Sequence, residues 1–527
     1  ALSIKQNFTE AYNNLGVTLH DLGQFQSAIK NYEKALMLNP GNAEILYNLG
    51  GSLKSIGQLN LAVENFEKAL IIKPDYVEAH NNLGLTLKEL CELEASITCF
   101  ERALAINPSF SGAYSNRLLT FNYSIKYNPA FCLREAEKFS RIIHRKVTCH
   151  FPYFKCKLTP TRLKIGLVSG DFNAHPVGFF LENVLSELTR HNLELIAYTT
   201  QPKVDYLSER IKPFFSEWKA FYGLTDEIAA KVIHDDGIHI LFDLSGYTSH
   251  NRLPVFAFKP APVQVSWLGY FATTGLVEMD YVIGDPYVTP VEVEDQFSEK
   301  IFRLPNTRWC FSAPMVTIKT TALPALKNGY ITFGCFNNLA KLNDQVIKLW
   351  IKILRAIPNS RLLLKTKQFN SLSLQGMVTK KFTAHGIESK RIILEGHSIY
   401  EDYLTAYQQI DIALDPFPFT GGTITIDGLW MGVPVLTLQG NTLVSRQGVG
   451  ILKNIGLPNW IAKNENEYLS KAIDFASNLD QLTSIRSGLR KQVLASPLFD
   501  AKQFSIDFNN ALWVMWQQWL KDNHNST

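Results

Sequence analysis

The stretch IALDPFPFTGGTITIDGLWMGVPVLTL (412–438) decides how the second half of the chain folds. Its first apolar run, ending near Asp415, has the length of a buried strand. The Gly421–Gly422 pair then marks a turn, and an amphipathic helix is predicted from about Thr423. VPVLTL (433–438) resumes as a strand. Strand, turn, helix and strand is the building unit of a doubly wound parallel sheet.

The same grammar extends in both directions. Upstream lie ITFGCFN (331–337), RLLLKT (361–366) and IILEG (392–396), each a short apolar run separated from the next by a helical segment. An earlier series comprises LKIGLVSGDF (163–172), LELIAYTT (193–200), IHILFDLSGY (238–247), PVQVSWLGY (262–270) and YVIGD (281–285). A short Pro-containing join at 311–328 separates the two series. The expectation is two Rossmann-like domains, 161–310 and 328–500, with ligands at the carboxyl ends of their strands. A closing helix is expected over 501–527. Its Trp513, Trp516 and Trp519 are read as core packing.

The first 120 residues follow a different rule. Pro40, Pro74 and Pro108 recur every 34 residues, as do Gly16, Gly50 and Gly84, and Ala35, Ala69 and Ala103. Tyr32, Phe66 and Phe100 keep the same register. Small residues where helices touch, with a Pro after each second helix, are the mark of tetratricopeptide repeats. A degenerate fourth unit begins near Phe110, and 121–160 is expected to be a helical adaptor. Such arrays stack into a curved superhelix that grips polypeptides. Asn14, Asn48, Asn82 and Asn116 form a ladder at the same period. An amide donates and accepts together, so the ladder either holds an acceptor peptide by its backbone or bonds between neighbouring repeats.

Three places have the residue types for chemistry. At Gly421, Gly422 and Thr423 a Gly-Gly turn feeds a helix start, whose free N–H groups and positive dipole end suit a diphosphate. Asp427, one turn further, is placed to accept from sugar or ribose hydroxyls. The segment is neither a GK[ST] phosphate loop nor a GxGxxG fingerprint. CFNNLAKL (335–342) sets Asn338 and Lys341 just past a strand, and Lys341 could neutralise a leaving diphosphate. GDFNAHPVGFF (170–180) sets His175 past the first strand, where a His can position or deprotonate a hydroxyl. His239, inside an apolar run, is read as a satisfied core residue. Asp235 and Asp236 are adjacent, so their side chains diverge, and no metal site is expected.

Composition limits the alternatives. A chain of 527 residues with 46% apolar and 19% charged residues is a folded multidomain protein. A net charge of +4 leaves no footprint for nucleic acid or a membrane surface. No apolar run approaches the ~18 residues of a spanning helix. ALSIKQNFTEAY, at the start, has no signal-peptide core and no Met, and is read as a processed or truncated start. Seven scattered Cys without a CxxC pair fit reduced thiols and a cytoplasmic protein.

Repeats followed by two Rossmann-like halves resemble the protein O-GlcNAc transferase/SPINDLY family, in its bacterial form without the large insert between catalytic halves. The likeness rests on DFNAHPVGFF, DGIHILFDLSGYTSHNRL (236–253), KPAPVQVSWLGYFATTG (259–275), FSEKIFRLP (297–305), FNNLAKL, LDPFPFTGGTITIDGLWMGVPVLTL (414–438) and SPLFD (496–500). The resemblance implies a GT-B glycosyltransferase fold and metal-independent, inverting transfer to Ser or Thr hydroxyls of proteins. It implies His175 near the reacting centre, Lys341 and Thr423 at the diphosphate, and Asp427 at the ribose. Asn338 stands where the animal enzymes have Gln, Gly422 where they have His, and Ile424 where they have a second Thr. Tyr400 and Ala406 stand near their basic contacts to uracil, and Tyr403 near the His that stacks on the base. FNNLAK and Ala406-Tyr407 are closer to the plant SPINDLY branch, which uses GDP-fucose.

The expectation is thus multidomain: an all-α tetratricopeptide superhelix, then an α/β GT-B region. The expected activity is protein O-glycosyl transfer, with UDP-GlcNAc favoured over GDP-fucose as donor and no cofactor. A nucleotide-sugar epimerase of the same fold would need the same donor site but no peptide groove. A repeat scaffold with a dead catalytic half would not need His175, Lys341, Thr423 and Asp427 intact.

Overall fold

The computed structural model describes residues 8–148 and 151–524. The first seven residues of the repeat region, Cys149 and His150 of the adaptor, and the last three residues of the expected closing helix lie outside them. The chain divides into two compact units. One holds the repeats up to Ser124 together with Cys335–Arg355 and Arg361–Ile399. The other holds Ile125–Gly334, Ala356–Ser360 and the chain from Tyr400 onward. The region expected as the second Rossmann-like domain contributes to both.

Among the described residues, seven helices carry the repeats: α1 (Thr9–Asp21), α2 (Phe25–Leu38), α3 (Ala43–Ser55), α4 (Leu59–Ile72), α5 (Val77–Glu89), α6 (Leu93–Ile106) and α7 (Ser111–Phe121). The recurring glycines are explained by close approach. A Cβ on Gly16 would lie 2.5 Å from the Tyr32 ring, on Gly50 2.8 Å from Phe66, and on Gly84 2.6 Å from Phe100. Each ring is buried in the cleft between the paired helices. Burying one such ring is worth roughly 1.5–3 kcal/mol, so each repeat forgoes a side chain to keep it. The adaptor contributes α8 (Pro129–His144), started by Pro129 and by Asn128, whose side chain accepts from Phe131 N–H at 2.8 Å.

Two parallel sheets follow. The first has β1 (Leu163–Ser169), β2 (Leu193–Thr199), β3 (Glu217–Ala220), β4 (Ile240–Asp243), β5 (Val263–Ser266), β6 (Tyr281–Gly284) and β7 (Lys300–Arg303), in the order β3-β2-β1-β4-β5-β6-β7. The second has β8 (Thr332–Cys335), β9 (Arg361–Lys365), β10 (Ile392–Glu395), β11 (Ile412–Leu414), β12 (Val435–Leu438) and β13 (Ile461–Ala462), in the order β10-β9-β8-β11-β12-β13. Both orders reverse direction partway, the doubly wound pattern that places ligands at strand carboxyl ends. Helix α9 (Pro176–Leu188) leaves the carboxyl end of β1.

The helix Ala501–His524 packs on the first sheet's layer. Phe508 lies 4.7 Å from Trp267 and 5.5 Å from Phe242, and Trp516 meets His239 edge-on at 4.9 Å. Trp516 is fully buried, as core packing requires, whereas Trp513 and Trp519 are half-buried. His239 is also a core residue: its Nδ1 accepts from Lys164 N–H at 3.0 Å and its Nε2 donates to Lys157 O at 3.1 Å. Asp235 pairs with Lys155, whereas Asp236 pairs with Lys219 and accepts from Tyr198.

Candidate active site

The helix Thr423–Trp430 starts at Gly422, and no side chain caps it. An α-helix leaves its first N–H groups without intrahelical partners, and its dipole makes that end positive. The turn before it is pinned from below. Asp415, fully buried at the end of β11, accepts from Gly421 N–H at 2.7 Å and from the Thr437 hydroxyl at 2.7 Å. A Cβ on Gly421 would lie 2.5 Å from Thr425 Oγ1. Around Gly422 the nearest atoms to a Cβ are Trp309 Cη2 at 3.7 Å and Gln447 Oε1 at 3.8 Å, ordinary contacts. Gly421 is therefore forced by space and Gly422 is not. Thr423 is half-buried in the first turn, and Thr425 Oγ1 is buried there without a hydrogen-bond partner.

One turn on, Asp427 is buried and accepts from Tyr403 OH at 3.2 Å and Tyr400 OH at 3.4 Å. Burial pushes its carboxyl up to about 7, against the two tyrosine bonds. Burial and the nearby carboxylate raise both phenols as well, so they remain donors. Tyr400 and Tyr403 stack at 6.0 Å, and Tyr403 OH bonds Tyr407 OH at 3.1 Å. Phe179 of α9 stacks on Tyr400 at 6.4 Å. That contact brings the His175 segment and the Asp427 segment together within one unit.

His175 is the N-cap of α9, with its Nδ1 accepting from Val177 N–H at 3.4 Å. The Asp171 carboxylate lies 3.5 Å from the same nitrogen. The two partners ask for opposite tautomers. A protonated Nδ1 faces Asp171 and leaves Nε2 able to take a proton; an unprotonated Nδ1 caps the helix. Burial lowers the pKa of the imidazole and Asp171 opposes it. Burial raises the Asp171 carboxyl, with His175, His250 and Lys203 lowering it.

Lys341 and Asn338 sit in the other unit, on the one-turn 3-10 segment Leu339–Lys341 after β8. Asn338 Oδ1 accepts from Ala340 N–H at 3.0 Å and from Gln368 Nε2 at 3.2 Å. Lys341 Nζ donates to Asn337 Oδ1 at 3.0 Å. The same unit carries the asparagine ladder. Asn48 Nδ2 donates to Asn13 Oδ1 at 3.1 Å, Asn82 Nδ2 to Tyr47 OH at 2.9 Å, and Asn116 Nδ2 to Asn81 Oδ1 at 2.9 Å. Each bond crosses to the preceding repeat, so neighbouring repeats are laced through these amides. An amide has a second N–H and an oxygen, so one such bond does not exhaust it. Asn14 is exposed.

Sequence reasoning passed over Asp171, Thr425, Trp309 and Asp415. Asp171 carried a signal, standing four residues before His175 in GDFNAHP. Trp309 and Gln447 carried none, since only the tertiary fold brings them beside Gly422. Among the described residues, no group of three His, Cys, Asp or Glu is arranged to hold a metal ion. Among them, too, no helix is long and apolar enough to cross a membrane.

Residues 9–42 and 77–110 match the tetratricopeptide repeat, and 51–90 a related TPR repeat family. Residues 128–313 and 310–508 match glycosyl transferase family 41. The probable UDP-N-acetylglucosamine–peptide N-acetylglucosaminyltransferase SPINDLY of Solanum lycopersicum is 36% identical over 368 residues, 69% of this chain and 40% of its own length. The corresponding SEC protein of Arabidopsis thaliana is 29% identical over 366 residues, 67% of this chain and 37% of its own. The chain thus spans about 40% of the length of the curated plant relatives it matches. A lysine-to-methionine variant of the Thermobaculum terrenum O-GlcNAc transferase superposes with a TM-score of 0.91 at 30% identity, covering 98% of each chain. The family match runs through both doubly wound sheets, and with the 36% identical relative it shows that this chain belongs to glycosyl transferase family 41.

Proposed function

We propose that the chain is an inverting protein O-glycosyltransferase that moves GlcNAc from UDP-GlcNAc to Ser or Thr hydroxyls of proteins. The observation that carries the reading is the uncapped start of the helix Thr423–Trp430 beside the forced Gly421. Backbone amides there suit a diphosphate, and the Thr423 and Thr425 hydroxyls add donors. Asp427 takes the ribose hydroxyls once Tyr400 and Tyr403 yield a bond each. The acceptor oxygen attacks the anomeric carbon, the bond from that carbon to the diphosphate breaks, and the configuration inverts. The acceptor proton passes to His175 Nε2 in the tautomer that Asp171 favours. Lys341 supplies positive charge to the departing diphosphate, so the reaction needs no metal. The acceptor chain lies along the repeats, held by the remaining amide groups of Asn14, Asn48, Asn82 and Asn116.

GDP-fucose is a second reading, favoured by Tyr400 and Ala406 standing where animal O-GlcNAc transferases place basic contacts to uracil. Radiolabelled transfer from UDP-GlcNAc and GDP-fucose to lysate proteins, with and without EDTA, separates the two. Label from UDP-GlcNAc that survives the chelator is expected. Label only from GDP-fucose moves the donor to the second reading, and an EDTA-sensitive reaction removes the metal-free mechanism. Lys341→Ala should lower turnover by about 10²–10³ with the melting temperature unchanged. Near wild-type turnover would sink the leaving-group role.

A further inference from the structure

The repeat register points to a residue outside the nucleotide-sugar site. After the first helix of each repeat (α1, α3 and α5) the chain turns through a residue in the left-handed region. Gly23 has φ 73° and Gly57 has φ 79°, and the third member of the 34-residue series is Cys91, at φ 64°. Glycine adopts that conformation without strain and a residue with a Cβ does not. The third repeat alone of these three keeps a strained side chain at a place where the first two show that none is needed.

What that side chain touches supplies a reason. Cys91 Sγ donates to Ala340 O at 3.4 Å. That carbonyl belongs to the peptide joining Ala340 to Lys341. The N–H of Ala340 is already held by Asn338 Oδ1 at 3.0 Å. Cys91 and Asn338 therefore fix Ala340's carbonyl and amide groups, and with them the peptide plane from which Lys341 departs. The contact is built into a docked surface. Leu59 and Leu90 of the repeats pack with Leu374 in one buried cluster, and Asn60 donates to Ser373 Oγ at 3.1 Å. Burial pushes the Cys91 thiol up to about 12, so it keeps its proton and stays a donor at neutral pH. All of these residues lie in one compact unit.

We propose that Cys91 is a positioning residue for Lys341, setting the turn that carries the lysine from the third repeat. The inference rests on the assignment of Lys341 to the leaving diphosphate. Strain kept at one position of a repeat is accounted for by a gain elsewhere, and here the gain is the orientation of a cation that must meet charge only as it develops.

The test compares Cys91→Gly, Cys91→Ser and Lys341→Ala in the full chain, reading kcat, donor KM and melting temperature. Cys91→Gly removes both strain and donor. It should leave the melting temperature unchanged or raised while kcat falls about 10-fold. Cys91→Ser keeps a donor on the same Cβ and should recover most of that loss. Added to Lys341→Ala, Cys91→Gly should cost nothing further. A Cys91→Gly protein with normal kcat overturns the proposal, and so does one that loses kcat and thermal stability in parallel. A further loss in the Lys341→Ala background overturns it too, since the thiol would then act elsewhere. If Lys341→Ala itself turns over normally, the leaving-group assignment fails and the proposal falls with it. An inactive Lys341→Ala beside a normal Cys91→Gly fails the proposal alone.

Discussion

Two helices in one unit begin at strand carboxyl ends and are finished in opposite ways. Helix α9 is closed: His175 caps it through Nδ1, and Pro176 occupies the first helical position. The helix Thr423–Trp430 is open: Gly422 brings no cap. Glycine at an N-cap costs only about a few tenths of a kcal/mol against a side-chain cap, so the open end leaves its amides uncovered at little cost to stability. The difference separates what each end can hold. Amides left uncovered at a positive helix end are a place for an anion, and an imidazole held against a helix start is a group kept in one orientation.

The contrast is broken most severely at His175. Alanine there should lower transfer by about 10²–10⁴ and cost about 1 kcal/mol of stability through the lost cap. Asparagine should return the stability but not the rate, because it caps a helix and cannot act as a base at neutral pH. Thermal melts and turnover on the same pair of variants check this. An active His175→Asn would reduce the histidine to a cap.

The glycines sharpen the open side. Gly421→Ala sets a Cβ 2.5 Å from Thr425 Oγ1 and should cost about 1–3 kcal/mol, with nucleotide affinity falling in calorimetry. Gly422→Ala meets Trp309 and Gln447 only at contact distance and should cost less than about 1 kcal/mol. Equal losses would show that the turn is not pinned as described.

The smallest effect lies one turn inward. The Asp427 carboxyl is raised to about 7 by burial, so between its unfolded value and 7 the folded chain binds the extra proton. Its charge therefore costs stability that grows as pH rises and is complete above about 7. Asp427→Asn, still able to accept from Tyr400 and Tyr403, should raise the melting temperature at pH 8 by a few degrees. At pH 4 the two proteins should melt together. A gain larger at pH 4 than at pH 8 would reverse the sign and place the carboxylate in a stabilising pair.

The buried strands were legible because a strand covered on both faces is a continuous apolar run, as in LKIGLVS and IHILFD. The sequence reading passed over β3, β7 and β13, and all three are sheet edges. EWKA and KIFR alternate or carry charge because one side of an edge meets solvent, and β13 is two residues long. The site divides in the same manner. His175, Thr423 and Asp427 could be read from position, since each follows a strand end. Phe179 on Tyr400 and Trp309 beside Gly422 could not, because residues more than 100 apart meet only through the fold. The asparagine ladder was legible as a period, but its bonds to the preceding repeat needed the inter-helix distances.

The bonds across that ladder have a mechanical side. An array held only by apolar side chains can slide and flex at each junction, like loosely stacked coins. Here each junction also carries a directional amide bond of fixed length, from Asn48, Asn82 and Asn116. A directional bond resists rotation of one repeat on the next, so each of these junctions has an orientation that apolar packing by itself would leave looser.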